Sequence, residues 1–232
     1  MADHEVELDD GWTSGVASGF ALAGFLTLVL VAFTLLAMGP LVLYDAYFSA
    51  SPPPGQLEPF LHVLDRVGQR AVALPILALV VVLIHQRTGS WRPAATAAAG
   101  VFALNVVVLV LKVALGRSFP HTGDPAFFTG GMAYPSGHSA NVMLVYGLAA
   151  YLWTHYTAPP RRTRVLMWGA VGALSVTMVV TSIALNWHWF ADLVAGLLVG
   201  AIVLEVTASF DRLLATSRVP LVGAPDHPNA HS

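Results

Sequence analysis

Cysteine is absent from the 232 residues. Disulfides, Cys-ligated zinc sites and thiol chemistry are excluded with it, while the redox compartment stays open. Charge is nearly as scarce. Asp, Glu, Lys and Arg make up 10% of the chain, where a soluble domain carries about 25%. So few charges cannot cover a water-soluble core, and disorder requires the opposite balance. Base is not in excess either: the formal net charge is -2 with nine His counted neutral, which leaves no basic surface for nucleic acid. What abounds is apolar, 56% of all residues. The composition is that of an integral membrane protein.

Asp, Glu, Lys and Arg are missing from Gly11 to Tyr44, Ala71 to Gln86, Pro93 to Leu111, Pro125 to Pro160 and Val165 to Ala191. After Asp192 only Glu205 interrupts a run to Phe210. A spanning helix takes about 20 mostly apolar residues. Six spans are therefore expected, near Phe20–Leu43, Ala71–His85, Ala94–Leu115, His138–Trp153, Leu166–Leu185 and Phe190–Phe210. The fold class is all-α, a six-helix membrane bundle whose short outward loops carry the site. Residues 1–18 read as a cytoplasmic N-terminal segment, 19–215 as the membrane domain and 216–232 as a flexible tail. The first apolar run is too long for a cleaved signal peptide, and no basic residue precedes it.

Arg87 and Arg92 lie between spans two and three, Arg161, Arg162 and Arg164 between four and five, and Arg212 and Arg218 after six. These places alternate onto one side, which the positive-inside rule makes cytoplasmic. The segments joining spans one to two, three to four and five to six then face outward. Ser51-Pro52-Pro53-Pro54-Gly55 reads as a loop in the first of them.

Polar groups that structure alone explains poorly gather in two outward segments. Lys112 ends span three ahead of Gly116-Arg117-Ser118-Phe119-Pro120, Tyr134-Pro135-Ser136-Gly137-His138 opens span four, and Asn186-Trp187-His188-Trp189-Phe190-Ala191-Asp192 joins spans five and six. Pro135 to His138 suits a helix start able to hold an anion: Ser caps, Gly lets a ligand approach the backbone, and free N–H groups point outward. Taken alone, it is equally an ordinary cap with an interfacial His. His188 and Asp192 are four apart and share a face if helical, so the carboxylate can hold one imidazole nitrogen and free the other. Taken alone, that pair reads more readily as an interfacial His with an Asp supporting the start of span six. A Lys at a span end commonly snorkels to headgroups. Order and common side distinguish the set from its members.

With these residues the sequence resembles the type-2 phosphatidic acid phosphatase superfamily of membrane lipid phosphatases and phosphotransferases. The family's motifs are Lys, six residues, Arg-Pro; then Pro-Ser-Gly-His; then Ser-Arg, five residues, His, three residues, Asp. Lys112 and Pro120 fit the first, Pro135 to His138 the second, and His188 with Asp192 the third. Two positions depart: Phe119 stands at the motif-one Arg, and Thr181-Ser182 stands at Ser-Arg. Arg117 lies two residues before Phe119, and two extended residues span about 7 Å, a gap that a long Arg side chain can cover. It is expected to stand in for the missing group.

The resemblance implies phosphoryl transfer without metal or other cofactor, through a phosphohistidine. His188 would attack phosphorus with Asp192 orienting its ring, and His138 would protonate the leaving alkoxide and then activate water. Lys112, Arg117, Ser136 and Gly137 would hold the phosphoryl oxygens. Implied partners are a lipid phosphate substrate and membrane lipids. A non-catalytic lipid-phosphate binder or transporter is the alternative that the two departures suggest. A bis-His haem protein using His85 and His155 is a third reading, less natural because such residues commonly sit solvated at the interface.

The orientation is open to direct measurement, because any introduced cysteine is unique. A cysteine near His121 should react with an impermeant reagent in intact cells, and one near Arg162 should not. The reverse pattern overturns the topology.

Overall fold

The computed structural model describes residues 10–49 and 55–216. The acidic residues before Asp10, the Ser51–Pro54 part of the expected loop, Arg218 and the tail from Pro220 lie outside the described residues. Nine α-helices follow one another among the described residues: α1 (Asp10–Ala37), α2 (Val42–Ser49), α3 (Glu58–Asp65), α4 (Arg70–Thr88), α5 (Arg92–Leu115), α6 (Gly137–Asn141), α7 (Gly147–Thr157), α8 (Arg161–Ala184) and α9 (Phe190–Thr216). No strand occurs among them.

Five of these helices are long and apolar enough to cross a bilayer: α1, α4, α5, α8 and α9. The fourth expected span is helical as well, but broken. A π-helical turn at Val142–Tyr146 joins α6 to α7, and the whole run from Gly137 to Thr157 covers about 30 Å at 1.5 Å per residue. Both boundaries of the first span move. The first span ends at Ala37 rather than Leu43, because Pro40 offers no N–H to continue the ladder. The chain turns at 38–41 and restarts as α2. At its other end α1 begins at Asp10, so helix already covers part of the segment expected to precede the spans.

Helices α9 and α7 form the centre, with α1, α4, α5 and α8 around them. On α4 the buried residues Ala73, Leu77, Val81 and Ile84 recur at intervals of four, four and three. That spacing puts them on one face. The matching stripe on α5 is Ala97, Gly100, Leu104 and Val108. Both pack on Leu144, Val145, Leu148 and Leu152 of the fourth span and on Val199, Val203 and Leu204 of α9. Leu28, Phe102, Val113 and Val176 point outward, with Leu28 70% exposed. Outward leucine and valine are at home in lipid.

The end of the bundle opposite the site is closed by Asp211 of α9. Its carboxylate accepts from Arg92 Nε at 2.9 Å, Thr96 Oγ1 at 3.0 Å, Tyr151 OH at 2.9 Å and Tyr156 OH at 3.0 Å. His85 lies against the Ser90 carbonyl and stacks on Trp91, whereas His155 stacks on Tyr151 beside Asp211.

A close helix contact sits next to the site. A Cβ on Gly196 of α9 would lie 2.4 Å from the Ser136 carbonyl oxygen, and one on Gly200 would lie 2.7 Å from the Ala140 carbonyl oxygen. Small residues four apart let two membrane helices approach to backbone contact. Gly196→Ala should therefore cost about 1–3 kcal/mol and lower the thermal midpoint in detergent. Gly169→Ala on α8, where nothing lies within 4 Å, should leave the midpoint unchanged or slightly higher. Equal midpoints for the two variants would contradict the close α6–α9 approach.

Candidate active site

The three motif segments meet at one end of the bundle. Lys112 occupies the last turn of α5, which Gly116 ends with a left-handed φ of 51° and an N–H to the Lys112 carbonyl. A side chain at Gly116 would press on the Gly130 backbone at 3.1 Å. From there the chain folds back on itself, with Ser118 N–H bound to the Ala126 carbonyl and Ala133 N–H to the Arg117 carbonyl. Lys112 Nζ donates to the Met132 carbonyl across this fold. The ammonium is thereby fixed at the rim of the site.

Ser136 is the N-cap of α6 and accepts from the Ser139 N–H at 3.5 Å. It is fully buried, so capping occupies the side chain that was expected to bind phosphate. Gly137 is different: a Cβ there would meet nothing within 4 Å, so its backbone lies open. Motifs two and three are joined directly, because Ser136 N–H donates to the Asp192 carbonyl at 2.9 Å.

His188 is not on a helix. It lies in the turn between α8 and α9, just after Asn186 at a left-handed φ of 55°, a conformation that Asn tolerates better than most residues. Asp192 in the first turn of α9 reaches back to it. Oδ2 accepts from the Trp189 N–H at 3.0 Å and lies 3.3 Å from His188 Nδ1. A carboxylate bonding back to an N–H that precedes its helix also caps that helix. The expected pairing is thus present in a different form, as a capping arrangement. Nδ1 is the nitrogen it engages, which leaves Nε2 outside that contact.

Arg117 requires a correction. It was expected to reach the phosphate in place of the residue missing at Phe119, but its side chain is completely buried behind the site. Nη1 donates to Asp192 Oδ1 at 2.7 Å, Nη2 donates to Asp45 of α2, and Nε donates to the Pro125 carbonyl at 3.1 Å. The guanidinium lies over Phe127 at 4.6 Å. No face of the fork is left for a ligand. Asp45 is equally buried and also caps α9 by accepting from the Ala191 N–H at 2.9 Å. Burial pushes the Asp45 carboxyl above its ordinary value against the attraction of Arg117, as expected where one cation is shared by two carboxylates.

The two departures are filled without charge. The ring of Phe119 lies between His121, at 5.7 Å, and His188, at 6.2 Å. Ser182 is buried, and its Oγ has no hydrogen-bond partner. Sequence reasoning missed the whole segment before α4. Buried Asp65 ends α3 with Oδ2 3.9 Å from His138 Nε2, and exposed Arg70 opens α4 close enough to act on His138 electrostatically. The signal was available: Asp45, Asp65, Arg66 and Arg70 are charges in a segment of the outward set, in a chain where charge is scarce.

A sequence profile described as the PAP2 superfamily matches residues 78–213. The chain belongs to that superfamily. The fold agrees with a solved structure, the first transmembrane PAP2 type phosphatidylglycerolphosphate phosphatase from Bacillus subtilis, at a TM-score of 0.71 and 17% identity over 83% of this chain and 96% of that one. A comparison with curated protein sequences finds no match. PAP2 membership and this fold support a multi-pass membrane phosphatase acting on lipid.

Arg117→Ala in this PAP2 protein would strand two carboxylates in the interior, at a cost of about 3–5 kcal/mol. The thermal midpoint should fall together with activity, and Phe119→Arg should restore neither, because the new guanidinium would stand at the site rather than behind it. Arg117→Lys should recover only part, since an ammonium lacks the fork that reaches both carboxylates. A normal midpoint with only KM raised would return Arg117 to the phosphate.

Proposed function

We propose that this protein hydrolyses a phosphate monoester or diphosphate of a membrane lipid by a metal-independent route through a phosphohistidine. The observation that carries the reading is the His188–Asp192 contact, which commits Nδ1 to the carboxylate and leaves Nε2 for attack. A simple anion-binding pocket has no use for an oriented nucleophile.

In the first half-reaction the Nε2 lone pair forms a bond to phosphorus while the bond to the lipid oxygen breaks. Asp192 stabilises the charge that develops on the ring, and its own charge is held in place by Arg117. His138, in the first turn of α6, gives the departing alkoxide its proton, then takes one from the water that cleaves the phosphohistidine. Lys112, the open backbone at Gly137 and the nearby N–H groups of α6 receive the phosphoryl oxygens, with Ser136 shaping that helix start. Arg70 adds positive charge from the opposite side.

The active-site end is proposed to face away from the cytoplasm. Support comes from the other end of the bundle, where Arg87 lies over Trp153 and Arg92 pairs with Asp211, the side the positive-inside rule puts within. A site at that depth suits a headgroup in water on a tail in lipid, such as a polyprenyl phosphate or diphosphate carrier or an outer-leaflet phospholipid. The second reading is a lipid phosphotransferase or a non-catalytic lipid-phosphate binder or transporter. It rests on uncharged Phe119 and Ser182 where the family carries arginine.

One experiment separates these readings. The purified protein, given polyprenyl and glycerolipid phosphates with EDTA present, should release inorganic phosphate. His188→Ala should reduce the rate by about a thousandfold or more, and Asp192→Asn should leave a weak residual activity. Binding of the lipids without phosphate release would favour the non-catalytic reading, and transfer to an added alcohol in preference to water would favour the transferase. Equal, mild losses in the two variants would show that His188 is not the attacking group.

A further inference from the structure

Two histidines face the site, and each has an aspartate, but the aspartates live under different conditions. Asp192 is tied to Arg117 at 2.7 Å and to a backbone N–H at 3.0 Å. Asp65 is fully buried, neither of its oxygens meets the geometry of an ordinary hydrogen bond, and the Gln69 side chain is the neutral donor that acts on its carboxylate. Burying a carboxylate this way is unfavourable unless a positive charge stands against it. The group that stands nearest is His138, with Nε2 3.9 Å from Asp65 Oδ2.

This approach is built rather than incidental. The turn after Asp65, Arg66–Gly68, is pinned to the broken fourth span: Tyr146 OH donates to the Val67 carbonyl at 3.0 Å, and Asn141 Nδ2 approaches the Gly68 carbonyl at 3.5 Å. A Cβ on Gly68 would lie 3.0 Å from the His138 Cβ and 2.5 Å from Met178 Sδ. The glycine lets the turn sit directly against the His138 side chain. A π-helical turn at this point of the span re-aims its side chains toward that turn, as such turns do at functional sites.

We propose that Asp65 is a positioning residue for His138, fixing its ring and favouring its protonated form while the lipid oxygen departs. The proposal rests on the role given to His138 above. The separation of 3.9 Å is too long for a hydrogen bond. The interaction is therefore Coulombic, and the imidazolium proton stays transferable. As the P–O bond breaks, its electron pair stays on the lipid oxygen, the proton of His138 joins that oxygen to give the alcohol, and His138 is left neutral. Other charges face the pair as well. His188, Lys112 and Arg70 oppose a charge on His138, while a charge on His138, His188 or His62 favours the Asp65 carboxylate. Burial pushes the Asp65 carboxyl above its ordinary value, with His138 as the main opposing influence.

The test compares two leaving groups on the full-length protein in detergent: dodecyl phosphate, whose alkoxide needs a proton, and 4-dodecyl-2-nitrophenyl phosphate, whose phenolate leaves without one. The parameter is kcat/KM, which ends at phosphohistidine formation and is blind to the water step common to both. Asp65→Asn should lower kcat/KM about 100-fold for the alkyl ester and no more than about threefold for the aryl ester. The alkaline limb of the alkyl profile should also move down by about one pH unit, because loss of the carboxylate frees the His138 proton earlier. Asp65→Glu should recover part of both effects, and Asp65→Ser carries the same comparison if the Asn variant does not fold. Equal factors on the two esters, with an unmoved limb, would overturn the role of Asp65 while leaving the phosphatase reading intact. Undiminished activity in His188→Ala would instead defeat that reading, and this proposal with it.

Discussion

One buried guanidinium holds the candidate-site end of this protein together. Arg117 stands between Asp45, from the segment after the first span, and Asp192, from the last helix, with its third donor on the chain's own Pro125 carbonyl. Only a planar fork satisfies carboxylates on two sides at once. Through it α2, the folded-back 116–134 segment and the start of α9 become one unit. Asp192 in turn bonds Trp189 through its side chain and Ser136 through its carbonyl, so the position of the second motif depends on the same cation. In a low-dielectric interior such a cluster adds little net stability, but removing its one positive member is costly. What it secures is geometry.

The same cluster sets the electrostatics of the two histidines apart. Asp192 spends one oxygen on Arg117 and shares the other between His188 and a backbone N–H. Its bonds to Arg117 and Trp189 hold its position independently of His188, as the proposed nucleophile would need from its orienting partner. Asp65 has no arginine or lysine bonded to it: burial pushes its carboxyl up, and His138 is the main influence that opposes this. A fixed carboxylate suits a ring that must attack, and a responsive one suits a ring that must give up a proton and take it back. The division of labour proposed for His188 and His138 therefore has a counterpart in how their aspartates are buried.

The membrane architecture was legible because scarcity of charge is a one-dimensional property. Five charge-free stretches marked five of the helices, with larger differences where Pro40 stops α1, where 125–136 is loop ahead of the fourth span, and where α8 ends at Ala184. The site was legible as far as its motifs went, so His138, His188 and Asp192 were found. Arg117 was misread. Its distance along the chain from Phe119 is a true constraint on reach but says nothing of direction, and direction was decided by Asp45, 72 positions away. Asp65 escaped for a similar reason. It belongs to none of the three motifs, and only the packing of Gly68 on His138 brings it near.

Where the groups sit along their helices explains why a membrane interior can carry this chemistry at all. Lys112 is in the last turn of α5, His138 in the first turn of α6, His188 just before α9 and Asp65 at the last position of α3. Helix ends are the places where backbone N–H and carbonyl groups lack intrahelical partners and must find others. Placing polar side chains there satisfies both at once, as Asp192 and Asp45 do for α9 and Ser136 does for α6. The same residues deep within a span would need dedicated partners in hydrocarbon. The helix-end position also leaves the N–H groups of α6 beside Gly137 directed at the site, a partial positive charge that needs no side chain. With Phe119 and Ser182 uncharged where the family's pattern has arginine, the proposed function gives the backbone a larger share of the work of holding an anion.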